Sequence, residues 1–173
     1  MPRISPWLLA RVLIFLLVIP GTVMFYVPGY LLLRSGTSYV PDFASPTVLF
    51  LIPGITGLAI VLACVRDFAV HGQGTPAPVD PPKMLVVKGL YRYTRNPMYM
   101  GVITVLLSES GLYLSGTLLV YAIVAFAGFN AFVFLHEEPH LRGVFGPDYE
   151  EYCRRIPRWG FTLRARSGRG REV

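Results

Sequence analysis

Two polar stretches of this chain of 173 residues hold nearly all the side chains that could do chemistry. The first, residues 88–101, reads KGLYRYTRNPMYMG and groups Tyr91, Arg92, Tyr93, Arg95, Asn96 and Tyr99. Pro97 opens an apolar run, and proline is favoured at the first helical position because its missing N–H would have no partner there anyway. Asn96 just before it is a preferred N-cap residue. A helix starting here presents backbone N–H groups and a positive dipole end, which attract carboxylates and phosphates. The arginines add cationic donors and the tyrosines add flat faces. A basic anchor with an interfacial aromatic belt would use the same residue types.

The second stretch, residues 136–159, reads HEEPHLRGVFGPDYEEYCRRIPRW. Glu137 and Glu138 are expected where a helix leaves the membrane. Two carboxylates at a helix C-terminus oppose the dipole and repel each other, so the placement calls for a cation or a ligand. The arginines of the first stretch are natural partners. Beyond Gly146-Pro147, the spacing predicts a short helix with Tyr149, Tyr152, Cys153 and Ile156 on one face; an amphipathic surface helix has the same pattern. His136-Glu137-Glu138-Pro139-His140 also matches the H-E-x-x-H zinc pattern, which needs both histidines on one continuous helical face. Pro139 is expected to break that face, and the other histidine is His71. No metal site is therefore assigned. Glu109, between Ser108 and Ser110, is an ionisable residue within an apolar run and a functional candidate for that reason. It would also suit a turn at the outer interface.

The elements that must position these groups are membrane helices. Apolar residues make up 53% of the chain and charged residues only 15%, against about a quarter charged in soluble domains. Residues 12–33 and 47–65 carry no charge, and residues 97–135 carry only Glu109. About 20 apolar residues span a bilayer, so the third run is long enough for two passes. That excludes a water-soluble enzyme, a nucleic-acid-binding domain and a disulfide-stapled secreted module. The expected fold is all-α and polytopic, about four transmembrane helices with a C-terminal cytosolic cofactor pocket. Residues 1–70 supply two helices, residues 71–96 a Pro-rich linker and the first polar motif, and residues 97–160 the hairpin with an amphipathic helix. These form a catalytic core with residues 84–96, and residues 161–173 form a basic disordered tail. Pro20-Gly21 and Pro28-Gly29 are expected to kink the first helix or end it early, and the hairpin is expected to turn around residues 108–116.

Basic residues concentrate at the start, in the middle loop and after residue 135, where eight arginines fall. The positive-inside rule then puts both termini and the middle loop in the cytoplasm. The first apolar run is too long for a removable signal peptide. Cys64 and Cys153 are expected to stay reduced. The C-terminal Arg-Glu-Val offers no prenylation site.

Taken together the two stretches resemble the isoprenylcysteine carboxyl methyltransferase family and the wider group that includes phosphatidylethanolamine N-methyltransferases. The residues that carry the resemblance are Gly89-x-Tyr91, Arg95-Asn96-Pro97-Met98-Tyr99-Met100-Gly101, Glu137-Glu138, Leu141, Phe145-Gly146, Tyr149, Tyr152 and Arg155-Ile156-Pro157. They run over about residues 75–160, in order around a hairpin. Asn96 departs from the pattern, which commonly has His there, and Asn cannot accept a proton near neutral pH. The resemblance implies S-adenosylmethionine as cofactor and a lipophilic acceptor entering from the bilayer. It implies cofactor contacts from Val87, Gly89, Tyr91, Asn96, Pro97, Tyr99, Glu137 and Glu138. It implies substrate contacts from Tyr149 and Tyr152, with Glu109 added as an ionisable candidate, and catalytic roles for Arg95 and Arg155.

Physically, methyl transfer asks the protein to align donor and acceptor and exclude water. A carboxylate acceptor, as in prenylcysteine and the first choice, needs no base but needs an arginine to hold it. A phospholipid amine must first lose a proton, and a thiol is the third option. Competing readings are an NADPH-dependent reductase of the sterol-reductase type and a non-catalytic membrane protein whose Arg-rich tail binds anionic lipid. Neither nucleic acid nor metal is an expected partner.

Overall fold

The computed structural model describes residues 6–36, 40–41, 43–68, 70 and 85–162. The Pro-rich segment at residues 72–83, His71 and the Arg-rich tail from residue 163 lie outside them. The described residues contain helices and no strand. Helices α1 (Pro6–Gly21) and α2 (Val27–Arg34) are joined by one wide π turn, Thr22–Tyr26. The first helix therefore neither ends at Pro20 nor stops at Pro28. A proline lacks an N–H and its ring presses on the carbonyl one turn back. Widening the turn that ends two residues before Pro28 accommodates both defects while the chain stays helical.

Helix α3 (Leu51–Asp67) follows a 3-10 turn, Pro46–Phe50, started by Ser45, whose hydroxyl accepts from the Thr47 N–H at 3.3 Å. Then come α4 (Pro97–Leu112) and α5 (Gly116–Phe132). A second π turn, Val133–Glu137, leads into α6 (Glu138–Arg155). It again ends two residues before a proline, Pro139. Glu137 and Glu138 thus do not stand at a helix C-terminus, as expected from the sequence. The helix continues past them, and Glu138 lies in the first turn of α6.

Among the described residues three helical stretches are long and apolar enough to cross a membrane: Ala10–Arg34 with 25 residues, Pro46–Asp67 with 22 and Gly116–Arg155 with 40. The apolar part of the last ends at Leu135. Helix α4, with 16 residues, is shorter, about 24 Å at 1.5 Å per residue. Residues 113–115 turn the chain straight back into α5. Leu114 adopts φ 48° there, and the Ser115 hydroxyl accepts from Leu118 N–H to start α5. Ser108, Glu109 and Ser110 belong to α4, so the turn is tighter and later than the sequence suggested.

Helices α3 and α4 form the closest pair. A Cβ on Gly57 would lie 2.6 Å from the Gly101 carbonyl oxygen, and one on Gly101 would lie 2.8 Å from the Gly57 oxygen. Lipid offers no hydrophobic drive between helices, so small residues that let backbones meet supply the attraction by packing. Ser108 Oγ adds a 2.5 Å bond to the Phe50 carbonyl. Met24, Val61, Val102, Val105, Leu106 and Ala122 fill the core between the spans. Val12 and Phe15 meet Val65 and Met98, and Tyr99 stacks on Phe129 at 4.7 Å. The start of α1, the end of α3, the start of α4 and the end of α5 therefore share one end of the bundle, where both polar stretches converge.

Replacing Gly57 by Ala should destabilise the protein by about 1–3 kcal/mol through overpacking. Gly128→Ala on α5 meets no atom within 4 Å and should leave stability unchanged or slightly raised. Unfolding midpoints in detergent measure both.

Candidate active site

The segment before α4 and the segment after α6 lie against each other. The N–H of Arg95 donates to the Pro157 carbonyl at 2.9 Å, and the N–H of Thr162 donates to the Tyr93 carbonyl at 2.9 Å. The Asn96 amide donates to the Arg158 carbonyl at 3.1 Å. Tyr152 Oη reaches the Tyr91 carbonyl at 2.8 Å, and the Trp159 indole donates to Asn130 Oδ1 at 2.9 Å. Helix α6 can return over the bundle in this way because Gly146 takes φ 49°, ψ −124° and kinks it. Ile156 then goes extended and ends it. Asn96 precedes α4 as expected but makes no side-chain cap. Its amide is committed to Arg158, so Asn96 does not cap the first turn of α4.

Glu138 is 2% exposed and meets three arginines from three segments. Arg95 Nη1 lies 2.9 Å from Oε1. Arg158 approaches through two nitrogens, Nε at 2.6 Å and Nη2 at 2.8 Å. Arg142 Nη2 is 3.4 Å from Oε2. Burial pushes the Glu138 carboxyl up, but the hydrogen bond from Arg158 and the charges of Arg95, Arg158 and Arg142 more than reverse this, holding it below the ordinary glutamate value. Glu137 has no arginine. Burial raises it, only partly offset by the hydrogen bond from Tyr99 and reinforced by the neighbouring Glu138 charge. Tyr99 Oη donates to Glu137 Oε1 at 2.5 Å. Two adjacent carboxylates thus have opposite environments: Glu138 is neutralised structurally, while Glu137 faces the interior with one phenol as partner.

Below this cluster lies a half-open cavity of about 620 Å³. Its walls include Arg95, Asn96, Tyr91, Tyr99, Glu137, Glu138, Tyr149 and Tyr152, which the sequence had singled out. Burial pushes Tyr149 and Tyr152 above the usual phenol range, and Tyr91 well above it. They serve as neutral, flat walls. Phe68, Val86, Met98, Phe132, Leu141 and Phe145 complete the lining with apolar surface.

Other sequence-selected residues are placed elsewhere. Arg155 does not reach the cavity; 62% exposed, it pairs with Glu151 one turn back on the outer face of α6. The helix ends at Arg155 and the chain reverses, so Arg158, unselected from the sequence, takes the inward position. Glu109 is buried near the far end of α4, at the opposite end of the bundle from the cavity. Pro97 and Val87 do not line it. Gly89 contributes through backbone shape: it takes φ 58°, and a Cβ there would fall 1.8 Å from Asp67 Oδ2. The motif glycine thus lets the loop close onto the end of α3, a contact no local pattern reveals. Contrary to the sequence expectation, Pro139 does not break the helix between His136 and His140, and both line the cavity rim. Among the described residues no three His, Cys, Asp or Glu side chains are grouped to hold a metal ion.

Residues 45–148, more than half of the chain, match the family described as phospholipid methyltransferase. The match begins before α3, earlier than the motif resemblance. Comparison with curated proteins and with solved structures gives no match.

Because Glu138 joins three segments, Glu138→Gln should cost about 3 kcal/mol, as expected when one partner of a buried ion cluster is removed. The pKa of Glu138 is lowered by folding, so its contribution is present above the unfolded value of about 4.3 and fades as pH falls through the folded one. Unfolding midpoints at pH 7 and below pH 4 should therefore differ by less in the variant. Arg155→Lys, touching only an exposed ion pair worth under about 1 kcal/mol, should keep turnover within about twofold.

Proposed function

We propose, from the premise that the chain belongs to the phospholipid methyltransferase family, that its cavity binds S-adenosylmethionine and serves methyl transfer to the headgroup of a membrane lipid. The observation that carries this reading is the uncapped start of α4 opening into an apolar cavity beside Glu137. About 620 Å³ falls within the roughly 300–1,000 Å³ of small-molecule sites. The donor set fits the cofactor group by group. The first-turn N–H groups of α4 suit its carboxylate. Glu137 suits its amino group or ribose hydroxyls, and Phe68, Val86, Met98, Phe132 and Phe145 suit a flat adenine. When bound, this cofactor supplies an electrophilic methyl group on a sulfonium centre. The chain itself orients the acceptor, closes the roof with α6 and keeps water from the reacting atoms. Glu138 has no cofactor contact in this reading, because three arginines hold it.

Of the acceptors considered, geometry favours an amine over a carboxylate. Arg155 is on the outer surface, and Arg95 is already neutralised by Glu138 and donates to Cys153 Sγ at 2.9 Å. An acceptor carboxylate would have to compete with Glu138 for that guanidinium. Basic residues around this end, among them Lys88, Arg92 and Arg142, support a cytoplasmic orientation by the positive-inside rule, where aminophospholipid headgroups are within reach. The Arg-rich tail would add attraction to anionic lipid.

Calorimetry on detergent-purified protein should detect S-adenosylmethionine binding and no NADPH binding. Glu137→Gln should weaken the former about ten- to hundredfold, the loss of one charge-assisted hydrogen bond. No binding to the wild type, or equal binding by the variant, would contradict the assignment.

A further inference from the structure

This inference rests on the amine-acceptor reading. An ammonium has no lone pair, so an acceptor amine must give up a proton before its nitrogen can attack. We infer that His136 takes it. The cavity wall excludes the other groups one class at a time. Arg95 is a cation. Tyr91, Tyr149 and Tyr152 are phenols pushed up by burial, and Tyr99 already donates to Glu137. Glu138 is held as a carboxylate by three arginines and is a weak base. Glu137 is committed to the Tyr99 phenol and, in the proposed function, to the methyl donor. The rim carries two imidazoles, His136 and His140, and imidazole is the side chain that titrates nearest neutrality.

Position selects His136 of the two. The apolar stretch of α5 ends at Leu135, so His136 is the first polar side chain at the level where a lipid headgroup meets the cavity. Its ring stands edge-on to Phe132, 5.5 Å between centroids and 61° between planes, which fixes its orientation. It is also exposed, so a proton taken there can pass to water. His140 lies one turn further from the membrane. The ammonium N–H bond breaks and its proton joins the imidazole. The freed nitrogen lone pair forms the N–C bond while the methyl–sulfur bond breaks with its electron pair left on sulfur. The imidazolium then returns the proton to water.

The test uses the full chain in nanodiscs of phosphatidylcholine with and without phosphatidylethanolamine. His136→Gln should lower kcat for the amine about a hundredfold at pH 7 and keep S-adenosylmethionine affinity within about threefold. The deficit should shrink at higher pH, where the amine loses its own proton. Added imidazole should restore part of the turnover of His136→Ala, a rescue that a packing defect would not show. Without any methyl donor, the ring ¹⁵N resonances of His136 should shift towards the protonated form when phosphatidylethanolamine is included. A His136→Gln protein with wild-type kcat and pH profile, alongside a wild type that binds the donor and methylates the amine, would overturn this inference alone. A wild type that binds no S-adenosylmethionine would overturn the proposed function with it.

Discussion

A carboxylate taken almost completely out of water must be paired or be protonated. Glu138 is paired three times over, and the site is arranged around that requirement. Its partners come from the loop before α4 (Arg95), from α6 itself (Arg142) and from the segment after α6 (Arg158). To bring them to one point the chain must kink at Gly146, leave the helix at Ile156 and run back along residues 93–96. The cavity roof is the consequence. Removing the charge leaves three guanidiniums facing one another, that of Arg95 nearly buried, whereas shortening an outer ion pair such as Arg155–Glu151 leaves the arrangement intact.

The rest of the bundle supplies a fixed floor for that roof. Gly57 and Gly101 let α3 and α4 touch along their backbones, so the first turn of α4 is held at a set height against α3. The two π turns act in the same direction. Each sits just ahead of a proline and keeps its helix running where an ordinary turn would have lost a hydrogen bond and met the proline ring. The second one ends at Glu137, just before Glu138, where neighbouring side chains diverge. Glu137 turns to Tyr99 and the interior, and Glu138 to the arginines. One carboxylate neutralised by arginines beside one held by a single phenol is the electrostatic signature of the site.

Much of this was legible from residue order. Three apolar runs, the last folded as a tight hairpin, and two polar motifs at its open end force those motifs together, so Arg95, Asn96, Tyr99, Glu137, Tyr149 and Tyr152 could be named without coordinates. What failed depended on where regular structure stops. The family resemblance implies an inward Arg155, although helical spacing sets it on the polar side of α6. The extended backbone at Ile156 and Pro157 hands that role to Arg158. Pro139 reads as a helix breaker because a π turn has no periodic signature. Glu137 and Glu138 are chemically identical in the sequence and separate only through long-range partners. Asp67 against Gly89 joins two segments that no local pattern couples. Asn96 has the right type for a cap, yet the returning chain takes its amide.

These features describe a membrane enzyme whose polar chemistry is confined to one end of the helical bundle, in a cavity with apolar walls that His136 and His140 also line. The proposed reaction at this end is transfer of a methyl group to a lipid headgroup. The most direct measurement is mass spectrometry of phospholipids incubated with the purified protein and S-adenosylmethionine carrying a deuterated methyl group. The account predicts a phospholipid amine heavier by one labelled methyl, formed only with active protein. Labelled methyl found on a prenylcysteine carboxylate instead, or on no lipid at all, would contradict it.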